Sequence, residues 1–194
     1  LKGKKWARMK ISASIVTYNN ENDVCKAIDS ILKNEIPDLS LYVVDNASQD
    51  NTIAKIEKQF QNVHVIKLKK NMGFGAGHNL VINTVDSDYH FFINPDIVVP
   101  SGTINGIVQY MEKNKNVVLL SPKVLNTDGS EQHLPKRYPT IRYLCSGMLE
   151  RKSKTFQKIR SEYTRSNECI LEPVEVDFCS VCFLACRTET LKKN

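Results

Sequence analysis

The stretch Tyr89-His90-Phe91-Phe92-Ile93-Asn94-Pro95-Asp96-Ile97-Val98-Val99 joins an aromatic and aliphatic run to a polar tripeptide. The run from Tyr89 to Ile93 predicts a short strand that is buried on both faces. Pro95 has no backbone donor and restricts the residue before it, so strand pairing is expected to end there. Asp96 is therefore predicted just beyond the carboxyl end of a core strand, where open α/β sheets bind their ligands.

The tripeptide Asn94-Pro95-Asp96 allows two interpretations. A carboxylate fixed at a strand end is a natural ligand for a hard cation, and such a cation could bridge to phosphate oxygens. Taken alone, however, the tripeptide favours a plain turn after a strand. The choice depends on the residues that surround it.

Length and composition bound the protein class. The chain has 194 residues, which suits one domain with a substantial core or most of a larger domain. Its apolar fraction of 41% and charged fraction of 25% are typical of soluble globular proteins. No apolar run is long enough to cross a bilayer, and six irregularly spaced cysteines indicate a reducing compartment. The net charge of +6 suggests an anionic partner.

Strand and helix periodicities alternate along the first half of the chain. Helices with an apolar stripe are expected after most strands, and Asn19 and Asn20 provide capping side chains before the first helix. This alternation predicts a largely parallel sheet with helices on both faces. The predicted strands cover residues 9–17, 41–45, 63–68 and 89–93; the predicted helices cover residues 24–32 and 53–60, a short segment from about residue 80, and residues 104–111.

The second half of the chain is less regular. Ser101 is expected to cap the helix over 104–111, and residues 117–125 predict another strand before an Asp128-Gly129 hairpin turn. Residues 135–168 predict an excursion from the sheet, part helix and part loop. Residues 174–187 return to strand character, and residues 188–194 predict the first turn of a further helix.

Polar side chains follow three of the predicted strands. In a parallel sheet these strand ends lie on the same edge, so residues that are distant in sequence are expected to converge in one cleft. Asp45 and Asn46 could pair with a base or a ribose, although Asp45 could equally cap the turn that follows it. The converging groups are Thr17, Tyr18 and Asn19, then Asp45 and Asn46, then Asn94 and Asp96.

The glycines at positions 73, 75 and 77 predict a backbone with positive φ that approaches a ligand closely. The stretch is not a dinucleotide-binding fingerprint, because His78 replaces the last glycine and the loop follows the third strand. A P-loop is absent as well, since no Gly-Lys-Ser/Thr triplet occurs. An NAD(P)-dependent oxidoreductase is therefore a weaker alternative.

The three cysteines near the end of the chain and a basic segment each suggest a binding site, and each also has a purely structural interpretation. Cys179, Cys182 and Cys186 have a spacing that suggests a metal, but their apolar neighbours favour buried free thiols in a strand. The basic segment 151–165 predicts either a solvated helix face or a contact with phosphate or anionic membrane. It lacks the aromatics that a single-stranded nucleic acid platform requires, so no nucleic acid partner is expected. His64, His90 and His133 show no ligand pairing.

Several of these segments together resemble family 2 glycosyltransferases of the GT-A fold. The resemblance is best to the rhamnosyltransferase-like branch, in which Asn-Pro-Asp replaces the more common Asp-x-Asp. It covers residues 11–125 well and residues 174–190 moderately. The segments that carry it are Ser14-Ile15-Val16-Thr17-Tyr18-Asn19, Val43-Val44-Asp45-Asn46-Ala47-Ser48-Gln49-Asp50, Asn71-Met72-Gly73-Phe74-Gly75-Ala76-Gly77-His78-Asn79, Phe92-Ile93-Asn94-Pro95-Asp96 and residues 176–187.

The resemblance implies a GT-A nucleotide-diphospho-sugar transferase fold, with a Rossmann-like, mostly parallel sheet. It also implies an inverting, metal-dependent transfer of a sugar, with rhamnose the favoured one, to a saccharide or lipid-linked acceptor of cell-surface polysaccharide. Asp45 would read the base, and Asp96 would reach a Mg²⁺ or Mn²⁺ ion. The other implied nucleotide-sugar contacts are Thr17, Tyr18, Asn19, Asn46, Gly73, Phe74, Asn79 and Asn94.

The same resemblance predicts how the chain is organised. One GT-A-type domain over 1–194 is expected, with a nucleotide-sugar-binding half at 9–125 and an incomplete, C-terminally truncated acceptor half at 126–194. The catalytic base is expected beyond Asn194, so no catalytic residue is assigned. A cytoplasmic protein with peripheral contact to the inner face of the membrane is expected. An inactive nucleotide-sugar-binding domain is the alternative.

Overall fold

The computed structural model describes residues 9–149, 151 and 153–192. Within them the chain forms two compact units, residues 9–122 with 181–192 and residues 123–180. The first boundary lies close to the predicted division at 125, but the last residues return to the first unit. The assignment of all 194 residues to one domain stays a prediction.

The first unit is built on a six-stranded sheet in the order β3-β2-β1-β4-β8-β5. The first four of these strands are parallel to one another, and β8 is antiparallel to both β4 and β5. The predicted mostly parallel α/β sheet is confirmed. The strands are β1 (Ile11–Thr17), β2 (Leu39–Asp45), β3 (His64–Lys67), β4 (Tyr89–Ile93), β5 (Leu119–Leu120) and β8 (Phe183–Arg187).

Helices connect these strands and cover the sheet. Their apolar stripes are buried as predicted, for example Val24, Ala27, Ile28 and Ile31 in the first helix. β1 lies at the centre of the sheet, and every one of its residues is buried. The helices of this unit are α1 (Val24–Leu32), α2 (Thr52–Gln59), α3 (Phe74–Ile82), α4 (Thr103–Lys113) and the short α7 (Thr188–Leu191).

The glycine-rich stretch differs from its prediction. α3 begins at Phe74, six residues before the expected start near Leu80, because Gly73 occupies the N-cap position with φ 85°. Among the three glycines, only Gly73 has a positive φ. Gly75 and Gly77 are helical, and Gly77 allows close packing of α3 on β1.

Gly77 supplies a direct test of this packing. A Cβ at this position would lie 2.8 Å and 3.0 Å from the two Cγ atoms of Val16, which is itself buried. We expect Gly77→Ala to lower the free energy of unfolding by about 1–3 kcal/mol, because the core must shift to admit the methyl group. Gly106→Ala in α4 is the matched control, since its Cβ would meet no atom within 4 Å. Urea unfolding that ranked Gly106→Ala as the more damaging change would contradict this account.

Four other predictions were wrong, two of helix caps and two of strand ranges. Ser101 does not cap α4, because Gly102 occupies the N-cap with left-handed φ and no side-chain cap bond forms. The strand expected over 117–125 shrinks to Leu119–Leu120, because Pro122 has no amide donor and the Ser121 hydroxyl instead donates to the Phe183 carbonyl. The strand expected over 174–187 is two separate strands. Asn20 and Asn19 do not cap α1, whose N-cap is Asp23 without a side-chain bond.

The second unit contains a helical pair and a small sheet, as the predicted excursion requires. Tyr143 and Tyr163 stack with ring centroids 5.1 Å apart, and the Tyr143 hydroxyl donates to Glu162 over 3.1 Å. The Asp128-Gly129 turn is confirmed, with Gly129 at φ 83°. Within the described residues, no helix is both long and apolar enough to cross a bilayer. The elements are α5 (Ile141–Leu149), α6 (Lys154–Thr164), β6 (Pro135–Lys136) and β7 (Phe178–Cys179).

Candidate functional site

The sheet register brings the predicted polar groups to one edge. Thr17 pairs with Asp45 across β1 and β2, and Ile15 pairs with Ile93 across β1 and β4. Asp96 therefore lies three residues beyond the end of β4, on the same edge as Asp45. Because β1 separates the two strands, their axes lie about 10 Å apart. The edge thus places two carboxylates on either side of a central strand.

Asp96 is exposed at this edge. The turn that holds it is fixed by the backbone, since the Asn94 amide donates to the Cys182 carbonyl over 2.9 Å and the Ile97 amide donates to the Asn94 carbonyl over 3.2 Å. Asn94 itself is half-buried. Across the part of the chain that the structure describes, no hydrogen bond or ion pair engages the Asp96 carboxylate. This carboxylate is therefore available to a ligand.

Asp45 and Asn46 are buried and hold loops together. The Asp45 carboxylate accepts from the Ser48 amide over 3.1 Å and from the Ser48 hydroxyl, so it caps the turn after β2. The Asn46 amide donates to the Thr17 carbonyl, and its side-chain Oδ1 accepts from the Met72 amide over 3.2 Å. Asn46 thereby ties the glycine-rich loop to the strand ends. A contact of either residue with a base stays a prediction.

The loop after β1 joins the loop after β2. Asn19 has φ 49°, its amide donates to the Ser48 hydroxyl over 2.9 Å, and its Oδ1 accepts from the Gln49 amide over 2.8 Å. Tyr18 is 48% exposed beside these bonds, whereas Thr17 is fully buried. The Thr17 hydroxyl has no hydrogen-bond partner among the described residues. The two loops therefore form one rim, with Tyr18 as its exposed aromatic.

The first turn of α3 forms the other side of this edge. Gly73 donates to the Asn71 side chain over 2.9 Å, and Phe74 is 41% exposed. Asn79 is exposed further along the helix. α3 therefore presents its amino-terminal amides close to the Met72–Asn46 contact, and a helix amino terminus favours anions. Lys69 and Lys70, just before this turn, are exposed as well.

Sequence analysis missed a buried polar pair behind α3. His78 and His90 are both buried and are bridged by Ser14, whose Oγ lies 2.7 Å from His78 Nδ1 and 2.8 Å from His90 Nε2. Burial lowers the pKa of His78 to about 4 and, together with the neighbouring His78, lowers the pKa of His90 to about 3. Serines at alternate positions of a buried strand were the available signal, because buried hydroxyls need partners.

The donor set at this edge fits a divalent cation shared with a phosphate ligand. Mg²⁺ and Mn²⁺ prefer carboxylate and phosphate oxygens, and Mg²⁺ is commonly held by one or two carboxylates and the substrate's phosphates. The unengaged Asp96 carboxylate supplies one such ligand. The described residues contain no group of three or more His, Cys, Asp or Glu side chains that could hold a metal alone. Cys179, Cys182 and Cys186 belong to no such group there, and none of the three forms a disulfide within the described residues.

Comparison with known proteins agrees with the fold. The model of a family described as Glycosyl transferase family 2 matches residues 12–187. The chain is 27% identical over 154 residues to the poly(ribitol-phosphate) beta-N-acetylglucosaminyltransferase TarS of Staphylococcus aureus, which covers 76% of this chain and 27% of TarS.

Two solved structures share the architecture. Residues 1–349 of S. aureus TarS in complex with UDP-GlcNAc superpose with a TM-score of 0.57 at 23% identity, over 70% of this chain and 38% of that one. The mannosyltransferase PcManGT of Pyrobaculum calidifontis, in complex with GDP-Man and Mn²⁺, superposes with a TM-score of 0.60 at 15% identity, over 99% of this chain and 52% of that one. The chain thus spans between about a quarter and a half of the length of these proteins.

Proposed function

The chain belongs to the family 2 glycosyltransferases, and from this premise we propose that it binds a nucleoside-diphosphate sugar at the carboxyl edge of the sheet and transfers the sugar to an acceptor hydroxyl. The observation that carries the proposal is the unengaged Asp96 carboxylate, held by a proline-containing turn at the same edge as Asp45 and the first turn of α3. The acceptor we propose is a saccharide or lipid-linked saccharide of cell-surface polysaccharide. TarS, by its name, acts on poly(ribitol-phosphate).

We assign roles from the geometry of the edge. Tyr18 offers its exposed ring to the base, and the buried Asp45 carboxylate, which already accepts from Ser48, is proposed to accept from a base N–H as well. The amino terminus of α3 at Gly73 and Phe74 faces the diphosphate, since its amides favour negative charge. Asn79 and Asn94 are proposed to line the sugar side. Transfer with inversion at the anomeric carbon is proposed, and its base is not assigned.

Asp96 is proposed to hold Mg²⁺ or Mn²⁺ between the chain and the diphosphate. When bound, such a cation offsets the negative charge that develops on the leaving diphosphate. Among the neighbouring structures, PcManGT is in complex with Mn²⁺. Asp96 alone supplies a single protein carboxylate, so the cation site would be completed by the ligand.

Calorimetry with UDP, dTDP and GDP, each with and without MnCl₂, tests the proposal. We expect one nucleotide to bind with an affinity that rises when Mn²⁺ is present. dTDP tests the rhamnose donor, and UDP tests the N-acetylglucosamine donor that is bound to TarS. Binding of NAD in place of all three diphosphates would contradict the proposal. The inactive-domain alternative is separated by an assay of donor consumption with a saccharide acceptor, in which only an enzyme releases the diphosphate.

We further propose peripheral contact with anionic membrane through α6. Glu162 and Glu168 engage nearby arginines, but Lys154 and Lys158 are exposed and form no ion pair within the described residues. Each basic side chain near an anionic surface contributes about 1 kcal/mol. The protein should therefore float with phosphatidylserine vesicles at low salt and dissociate from them at high salt. Lys154→Gln with Lys158→Gln should weaken flotation, whereas Lys26→Gln on α1 should not. Equal flotation of both variants would leave α6 as a solvated face.

A further inference from the structure

A continuous chain of hydrogen bonds runs across the α3 face of the sheet, from the start of α7 to the middle of α3. Its members are buried, except for the half-buried Ser87. Its five contacts are Thr188 Oγ1 to Ser87 Oγ at 2.9 Å, Ser87 Oγ to Ser12 Oγ at 2.7 Å, Ser12 Oγ to His90 Nδ1 at 2.7 Å, His90 Nε2 to Ser14 Oγ at 2.8 Å, and Ser14 Oγ to His78 Nδ1 at 2.7 Å.

This hydrogen-bond chain contains one more donor hydrogen than it has hydrogen bonds. Burial keeps both imidazoles neutral near pH 7, so each ring carries a single N–H. Four hydroxyls and two neutral rings supply six hydrogens, whereas five contacts need five. The sixth hydrogen has no bond within this series of contacts, so it lies at one end or on a serine that accepts from both of its neighbours. At one end is the Thr188 hydroxyl, and at the other is His78 Nε2, which is buried without a partner among the described residues.

Ser14 couples the tautomer of the His78 ring to the tautomer of the His90 ring. When its single hydrogen is donated to one of the two rings, its oxygen accepts from the other ring. If Ser14 donates to His90, both rings carry hydrogen on Nδ1 and the sixth hydrogen lies on Thr188. If Ser14 donates to His78, both rings carry hydrogen on Nε2 and the sixth lies on His78 Nε2. The mixed order in which Ser14 accepts from both rings keeps all five bonds but leaves the hydrogen of the buried Ser14 hydroxyl unpaired, and the opposite mixed order loses a bond.

The two arrangements of hydrogens, with Nδ1–H on both rings or with Nε2–H on both rings, differ in free energy and in the direction of their dipole. An unpaired buried N–H costs about 1–3 kcal/mol, whereas the Thr188 hydroxyl can rotate toward other acceptors, so the free chain favours Nδ1–H on both rings. An anion at the first turn of α3, one turn before His78, favours hydrogens that point toward it, and this reverses the preference. This second step rests on the proposed function.

We propose that His78 is a positioning residue of the donor site, in which binding of a nucleoside diphosphate reverses the hydrogen order and converts His78 and His90 together from Nδ1–H to Nε2–H. Each hydrogen moves across its own bond toward Thr188. His78 Nε2 takes one proton from water, and Thr188 releases one, so the total charge is unchanged. The chain thereby links the first turn of α3 to the first residue of α7, and by reciprocity an acceptor offered to Thr188 weakens diphosphate binding.

Two-bond ¹H–¹⁵N correlation spectra of the ¹⁵N-histidine-labelled chain test this proposal with UDP as the probe. Without UDP, we expect both rings to show a pyrrole-type Nδ1 and a pyridine-type Nε2. At saturating UDP both should show the opposite assignment, while the exposed His64 stays unchanged. Rings that keep their tautomers when calorimetry shows UDP bound, or a change in only one ring, would overturn the proposal. Absence of UDP, dTDP and GDP binding would overturn the proposed function and this trigger together.

Ser87→Ala separates coupling from simple packing. The change removes a half-buried hydroxyl that contacts neither histidine and moves the end of the hydrogen-bond chain to Ser12, which is fully buried. An excess hydrogen on Ser12 then costs as much as one on His78. We therefore expect the free variant to show partial Nε2–H at both rings before any UDP is added. A free variant with the wild-type tautomers, and with unchanged thermal unfolding, would contradict the coupling.

Discussion

Asp96→Asn should remove the metal dependence of nucleotide binding while leaving the fold unchanged. The carboxylate is exposed and unengaged within the described residues, so its replacement breaks no internal contact. An amide is a much poorer ligand for Mg²⁺ or Mn²⁺, and losing a carboxylate ligand is expected to weaken cation-dependent binding by about 100-fold or more. Calorimetry of the preferred nucleotide with and without MnCl₂ measures the difference.

Asp128→Asn is the matched control for this change. Asp128 is also exposed and acidic, but it lies in a turn and accepts from Ser130. It should keep the full response to Mn²⁺. Thermal unfolding should give similar midpoints for Asp96→Asn and the wild type. A variant at Asp96 that binds nucleotide as tightly as before, with the same gain from Mn²⁺, would remove this residue from the site.

Acid should destabilise the fold before it titrates most carboxylates. Burial lowers the folded-state pKa of His78 to about 4 and of His90 to about 3, against about 6.5 in an unfolded chain. Above pH 6.5 both histidines are neutral in the folded and in the unfolded state, so they make no pH-dependent contribution to the free energy of unfolding. As the pH falls below 6.5, the two histidines bind protons in the unfolded state but not in the folded state, so the free energy of unfolding decreases. Two such groups should cost about 5 kcal/mol between pH 6.5 and 4.5.

Urea unfolding as a function of pH measures this loss. In His78→Asn the side-chain amide can still reach Ser14, but it cannot titrate, so the slope of stability against pH should fall by about half. His64→Gln should leave the slope unchanged, because His64 is exposed. A wild-type chain whose stability is flat from pH 6.5 to 4.5 would contradict the buried neutral state of both rings. The same flat result would also remove the premise of the shared hydrogen chain.

The parallel sheet and its polar edge were predictable because they depend on regular features. β-branched and aromatic runs define the strands, and the alternation with amphipathic helices sets the sheet direction. From this, the convergence of Thr17, Asp45 and Asp96 on one edge follows. The family resemblance is confirmed at the level of glycosyltransferase family 2, because that family's model matches residues 12–187. The rhamnosyltransferase branch stays a proposal.

The errors arose where local sequence has two structural uses. The glycines around Phe74 suit a loop as well as close helix packing, and only the contact of Gly77 with Val16 shows which one applies. Asp45 caps the turn at Ser48, which is one of its two predicted uses, and its contact with a base stays a prediction. The sequence did not reveal the contacts of His90, because its partners Ser12 and Ser14 lie 78 and 76 residues away along the chain. Such long-range pairs depend on the sheet register, which no local pattern contains.

The central claim is that the nucleotide and its cation bind at the carboxyl edge of the sheet, between Asp96 and the first turn of α3. Paramagnetic broadening of backbone amide signals by Mn²⁺ in the presence of UDP measures this location directly. We predict that the amides of Asp96, Asn46 and Gly73 broaden first, and that those of Lys10 and Asp88, at the opposite ends of β1 and β4, stay sharp. Broadening centred on Lys10 and Asp88, with the signals at Asp96 unaffected, would contradict the claim.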